Sequence, residues 1–254
     1  MDESRQERER EFHNQEYAED DREPVLKYYS VTGSIISAYE QHLFSYCRNR
    51  KVLDYGCGRG SDTCKLAEHG AEVVGIDISD VGIQLARKQA EEDGLAENIV
   101  FSVGDCESLC FADDSFDMLC GKDILHHLQL DKAMREATRV LKPGGRAVFL
   151  ESLGYNPAIN LYRRVTPQFR SADEHPLKKK DLRQIEKSFE NVSYEFFYLF
   201  SLLAVPFRNS RYFPLILRWL ENIDQKIFNW LPSLRLMAWL VIITCEMPRK
   251  AGLA

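Results

Sequence analysis

Asp54, Gly56, Gly58 and Gly60 alternate at two-residue spacing directly after the apolar pair Val52-Leu53. Asp77 closes a second apolar run, Val73-Val74-Gly75-Ile76, 23 positions after Asp54. Asp105 follows a third, Ile99 to Val103. Glycines in a turn after a buried strand let a ligand approach the backbone closely. An acid at the tip of the next strand accepts both hydroxyls of a ribose. The chemistry these residues suit is the binding of a nucleoside cofactor.

Two kinds of cofactor compete for such a turn. A dinucleotide fingerprint needs Gly-x-Gly-x-x-Gly, with its third glycine packing a helix on the sheet. Position 61 is Ser61, and the glycines stand at 56, 58 and 60. Asp54, two residues before the first glycine, suits a cofactor carrying an ammonium group and repels a pyrophosphate. An NAD(P)-dependent oxidoreductase is therefore the disfavoured reading.

The turn resembles motif I of the class I S-adenosylmethionine (SAM)-dependent methyltransferases. Later segments follow in the order of that family: Gly104-Asp105-Cys106-Glu107, Ser115 to Cys120, and Ile124-Leu125-His126-His127-Leu128. Arg139-Val140-Leu141-Lys142-Pro143-Gly144-Gly145 completes the set. The last two segments are similar to the type 11 branch that includes the quinone C-methylases. The resemblance covers roughly residues 50 to 152. It implies that Asp54 and the turn (Gly56, Cys57, Gly58) hold the methionine end of SAM. Asp77 would take the ribose, Ile78 the adenine face, and Asp105 the adenine amine, with Cys106 adjacent. Lys122 would follow as a backbone contact. The implied activity is methyl transfer to a small-molecule acceptor, with S-adenosylhomocysteine as product. A non-catalytic binding protein on the same fold is the rival, and the intact glycines and acids speak against it.

The elements that must position these residues alternate along the chain. Strands are expected at 51–55, 72–77, 99–103, 116–121 and 146–151, with helices near 60–69, 80–93 and 131–141. Ser79 caps the second of these helices and Gly94 ends it. Apolar positions at helical spacing predict a further helix over 28–47. Strands alternating with helices mean a parallel sheet covered on both faces. The resemblance adds strands at 192–199 and 239–246, the last antiparallel between the fifth and sixth. The expected fold is α/β: a Rossmann-like, seven-stranded, mostly parallel sheet with helices on both faces and a helical lid or insertion. Residues 1–24 form an acidic tail ahead of a single domain over 25–254. The tail should be a solvated, frayed helix or disorder. A docking role is the alternative.

Two segments exceed the minimal fold. Residues 152–190 begin at the carboxyl edge of the sheet, where ligands of open α/β folds bind, and are assigned to a substrate lid. His175 there, beside Asp173 and Glu174, is one candidate base, and His126 after the fourth strand is the other. Tyr28, Tyr155, Arg163 and Arg170 are the substrate-side candidates. Residues 200–237, between strands six and seven, read as an amphipathic helical insertion. Its stretch 211–235 mixes basic side chains with Trp219 and Trp230. Such a face suits a membrane interface, a second copy of the chain, or its own sheet.

Composition narrows the class. The chain has 254 residues, 44% hydrophobic and 28% charged, enough for one globular domain. No apolar run reaches the length of a spanning helix. The seven cysteines show no zinc-type pairing. With no secretory signal they read as reduced thiols in the cytoplasm, and no metal is expected. Net charge is −6, but residues 155–254 hold fifteen bases against nine acids. Those bases are diluted among aliphatic residues, so no nucleic-acid partner is expected.

Overall fold

The computed structural model describes residues 3–19 and 30–250. Its seven strands are β1 (Lys51–Tyr55), β2 (Glu72–Asp77), β3 (Ile99–Val103), β4 (Phe116–Lys122), β5 (Leu141–Ser152), β6 (Phe189–Phe197) and β7 (Leu240–Pro248). They form one sheet in the order β3-β2-β1-β4-β5-β7-β6. Strands β1 to β5 run parallel, and β7 pairs antiparallel with both β5 and β6. This is the Rossmann-like topology the sequence predicts. Order reverses between β1 and β4, and the crevice at that switch point is where such sheets bind ligands.

The helices are α1 (Glu3–Glu19), α2 (Gly33–Cys47), α3 (Ser61–Glu68), α4 (Asp80–Glu92), α5 (Leu130–Val140), α6 (Pro157–Val165), α7 (Lys179–Ser188) and α8 (Phe213–Trp230). Both faces of the sheet are covered. Ile35, Tyr39 and Leu43 of α2 pack on one side with Val52, and Ala133, Met134 and Ala137 of α5 on the other with Leu53. Strand β1 is therefore buried on both faces, which is why its apolar residues Val52 and Leu53 are adjacent rather than alternating with polar ones. Ser79 accepts a hydrogen bond from Gly82 N at 2.9 Å and starts α4. Gly94, at φ +70°, turns the chain out of that helix.

Several boundaries differ from the sequence reading. Helix α2 begins at Gly33 rather than 28, and Tyr28 lies outside the described residues. Strand β5 begins at Leu141, which pairs with Phe116 across an irregularity in the register. Of the proposed lid, α7 packs against α5 and β6 as an ordinary crossover helix. Only the stretch around α6, up to Glu174, borders the crevice.

The insertion between β6 and β7 is helical, as expected. Its face is divided. Leu220, Asp224 and Phe228 of α8 are buried, and the Asp224 carboxylate accepts from the amides of Leu199, Phe200 and Ser201. That clamp fixes α8 to the end of β6. Leu215, Trp219 and Trp230 are exposed at 69%, 64% and 82%. Among the described residues no helix is long and apolar enough to cross a membrane.

The N-terminal segment departs most from expectation. Helix α1 is not a solvated tail: it packs along α4 and closes one side of the crevice. Its docking face is polar, so an apolar pattern could not reveal it.

Candidate cofactor and acceptor site

The turn after β1 is built by three left-handed glycines, Gly56 (φ +79°), Gly58 (φ +53°) and Gly60 (φ +78°). The amides of Gly56 and Cys57 both donate to Ile76 O, at 2.9 and 2.8 Å, bending the chain over β2 toward α3. A Cβ on Gly56 would lie 2.6 Å from Ile124 Cδ1. These positions need glycine both for backbone conformation and for space.

Asp77 is held from two sides. Its Oδ2 accepts from Gly58 N and its Oδ1 from Ser79 N, each at 2.8 Å. Each oxygen keeps acceptor capacity for a further donor. Burial pushes its carboxyl above the ordinary range. Asp54 is only 4% exposed and accepts from Thr63 Oγ1. Burial, and then the neighbouring Asp62, push its carboxyl up to about 7. Lys122 Nζ pairs with Asp62 at 2.6 Å and brings a cation among the acids of the site. Asp105 accepts from Glu107 N at 2.8 Å and from the side-chain amide of Gln6. Cys106 is buried, its carbonyl accepting from Tyr55, and burial pushes its thiol well up. Cys57 is raised for the same reason.

Asp54, Gly56, Cys57, Gly58, Asp77, Ile78, Asp105, Cys106 and Lys122 line one cavity of about 1160 Å³. The opposite wall carries Ile36, Leu150, Ile159, Tyr162, Trp239 and Leu240. Small-ligand sites are typically about 300–1,000 Å³, so the cavity has room for two ligands side by side.

The acceptor-side expectations divide. Arg163 and Arg170 border the cavity, but both build its wall. Arg163 donates to Leu153 O at 3.0 Å and Arg170 to Arg163 O at 3.0 Å. Tyr155 lies outside: it is 41% exposed and its hydroxyl accepts from Lys179 N at 3.3 Å. His175 is also misplaced by the sequence reading. It is exposed and lines a separate cavity of about 430 Å³ with Asp131 and Lys180. His126 borders the main cavity, yet its Nδ1 is 2.6 Å from Glu151 Oε2. Glu151, fully buried, also accepts from Ile124 N at 2.9 Å and Leu125 N at 2.7 Å. Burial alone would push the His126 imidazole down, but the Glu151 carboxylate outweighs it and raises it. His126 and Glu151 thus pin the loop after β4.

Sequence reasoning missed the residues of α1. Gln6, Glu9, His13 and Tyr17 recur at three and four and all face the cavity. Tyr17 Oη stands 2.7 Å from the point a Cβ on Gly58 would occupy. Arg59 donates to Tyr17 O at 2.6 Å. His127 and Trp239 complete the wall. The legible signal was Phe12, His13 and Tyr17, ring side chains at helical spacing in an otherwise charged segment.

The fold and the acid-and-glycine crevice define a Rossmann-like protein of the nucleoside-cofactor class. Residues 48–195 match the family model described as "Methyltransferase domain". The chain belongs to that methyltransferase family. Methyltransferase GfsG of Streptomyces halstedii is 41% identical over 98 residues, covering 38% of this chain and 35% of its own length. Demethylmenaquinone methyltransferase of Bacteroides fragilis is 38% identical over 108 residues, 41% of this chain and 44% of its own length. The chain thus spans less than half the length of these curated relatives. Among solved structures, a phosphoethanolamine N-methyltransferase of Haemonchus contortus, in complex with S-adenosylhomocysteine, superposes with TM-score 0.66. It is 19% identical and covers 94% of this chain and 60% of that one. Geranyl diphosphate C-methyltransferase from Streptomyces coelicolor gives TM-score 0.58 at 15% identity, covering 83% and 76%. At these identities the likeness shows the shared fold.

Proposed function

We propose that this chain is a SAM-dependent methyltransferase acting on a small lipophilic or aromatic acceptor. One observation carries the reading. A single cavity joins the Asp54–Gly58–Asp77–Asp105 set at one end to an apolar and aromatic wall at the other.

The residues present fit the cofactor. Asp77 offers two partly satisfied oxygens to the ribose hydroxyls. Gly56 and Gly58 bring bare backbone to the crevice wall, with Tyr17 of α1 lying over Gly58. Asp54 and Asp105 supply acceptors for the ammonium and the adenine amine. The relatives' names support the same chemistry: quinone, sterol and geranyl diphosphate methyltransferases act on small molecules.

When bound, SAM supplies an electrophilic methyl on a sulfonium. The chain's own task is to bind, to align and to exclude water. Asp77, tied to the turn through Gly58, sets the ribose position. Trp239, Tyr162 and Ile159 form a surface on which an apolar acceptor lies flat. Helix α1 covers the crevice and keeps solvent from it.

The test is calorimetric titration with S-adenosylhomocysteine, followed by a SAM-consumption assay on extracts fractionated by polarity. Binding together with turnover on an apolar fraction supports the reading. Binding without turnover on any fraction favours the non-catalytic rival.

A further inference from the structure

The polar face of α1 brings a second set of groups to the cavity. Glu9 and His13 are four positions apart on the helix, so their side chains share one face. His127 comes from the loop after β4, 118 positions from Glu9. The three converge on a single oxygen. His127 Nδ1 lies 3.1 Å, and His13 Nε2 3.5 Å, from Glu9 Oε2. One ligand atom from each lies within 4.8 Å of the other two. Ligands about 2.0–2.2 Å from a tetrahedral zinc ion stand roughly 3.3–3.6 Å apart, which the two contacts to Glu9 already approach.

Outer groups aim the three inward. Glu16 Oε2 lies 3.1 Å from His13 Nδ1, placed to accept the Nδ1 proton of an imidazole that binds an ion through Nε2. Ser171 Oγ donates to Glu9 Oε1 at 2.7 Å and leaves Oε2 for another partner. A carboxylate behind an imidazole is the usual support of a metal-binding histidine. Glu9 is 4% exposed, so this is no solvated acidic patch. A second trio, His126, His127 and Glu174, shares His127. There, however, the carboxylate of Glu174 is paired with the Arg170 guanidinium, at 3.4 Å.

We propose that Glu9, His13 and His127 bind a divalent transition-metal ion of the zinc type, which fastens α1 across the cavity. Two imidazoles and a carboxylate suit such an ion, whereas magnesium prefers oxygen ligands throughout. The three residues line the cavity wall, so an ion held there would border the same space as the acceptor. The sequence alone does not reveal the set because the third ligand, His127, lies 118 positions from Glu9.

The test uses the full chain stripped with chelator. It is titrated with Zn2+ by calorimetry and with Co2+ by visible absorption, and α1 amide exchange is followed with and without Zn2+. The expected result is one tightly bound ion per chain, with exchange over residues 3–19 slowed by Zn2+. His13→Ala weakens binding by about 100-fold or more and abolishes the exchange effect, while Glu16→Gln weakens it by roughly 10-fold. The proposal is overturned if no stoichiometric ion binds, or if the His13→Ala and Glu9→Gln chains bind it as the parent does. Circular dichroism of each variant confirms the fold. S-adenosylhomocysteine titrated into the metal-free chain reports separately on the methyltransferase reading, which survives if only the metal fails to bind.

Discussion

The Gly58 amide donates to Asp77 Oδ2 at 2.8 Å, tying the glycine turn after β1 to the tip of β2. The two motifs are 19 positions apart in sequence and act as one piece. Asp77→Ala removes the acceptor of both the Gly58 and Ser79 amides and the proposed partner of the ribose. Hydrogen bonds to a charged group are worth about 1.5–3 kcal/mol, so S-adenosylhomocysteine affinity should fall by roughly 10- to 100-fold. Calorimetry reads this directly, and an unchanged affinity would place the ribose elsewhere.

The Asp54 carboxyl titrates at about 7 in the folded chain, against about 4 in an unfolded one. Between those values the unfolded state holds fewer protons than the folded state. The stability of the ligand-free protein therefore falls as pH rises from about 4 to about 7, as far as Asp54 contributes, and levels off above. A bound ammonium favours the ionised form. Affinity for S-adenosylhomocysteine should then climb with pH up to about 7, being about tenfold weaker at pH 6 than at pH 8. A flat profile, or one made flat only by Asp54→Asn in a chain that otherwise slopes the opposite way, would contradict the assignment.

Gly60 stands at φ +78°, and a Cβ there would sit 2.9 Å from Ala86 Cβ and 3.0 Å from Phe101. Gly60→Ala combines a left-handed penalty of about 1–2 kcal/mol with overpacking of about 1–3 kcal/mol. Urea denaturation should show a lower midpoint at unchanged slope. A stable variant would mean that the turn relaxes easily.

Glu151 receives the amides of Ile124 and Leu125 as well as the His126 ring. Glu151→Ala leaves a buried imidazole and two amides without their partner. A loss of about 3–5 kcal/mol is expected in equilibrium unfolding. His175→Ala, at an exposed loop position outside the main cavity, should stay within about 0.5 kcal/mol of the parent and keep its turnover. The reverse pattern would restore His175 as the functional histidine.

The sheet and the cofactor end of the site were legible because each depends on local pattern. Short apolar stretches mark β1 (Val52-Leu53), β2 (Val73 to Ile76) and β4 (Met118 to Cys120), and the glycines and strand-end acids sit within a few residues of them. The acceptor end was not legible, for three physical reasons. His175 and Asp173 are sequence neighbours of Arg170, but the structure leaves His175 exposed beside a separate cavity. His126 resembles a base by type, yet its partner Glu151 lies on another strand. Helix α1 docks through hydrogen bonds and ion pairs, such as Arg5–Glu107 and Arg8–Asp173. A charged segment of this composition reads as solvated until its partners are known. On α8, the spacing showed an apolar face, and only the Asp224 clamp reveals which side of the helix turns inward.

A crystal structure of the full chain with S-adenosylhomocysteine tests the central claim most directly. The account predicts the ribose hydroxyls on Asp77, the adenine amine on Asp105 with Gln6 released from it, and the sulfur facing the Trp239–Tyr162 wall. Density for the ligand elsewhere, or a nicotinamide cofactor retained in the same crevice, would contradict it.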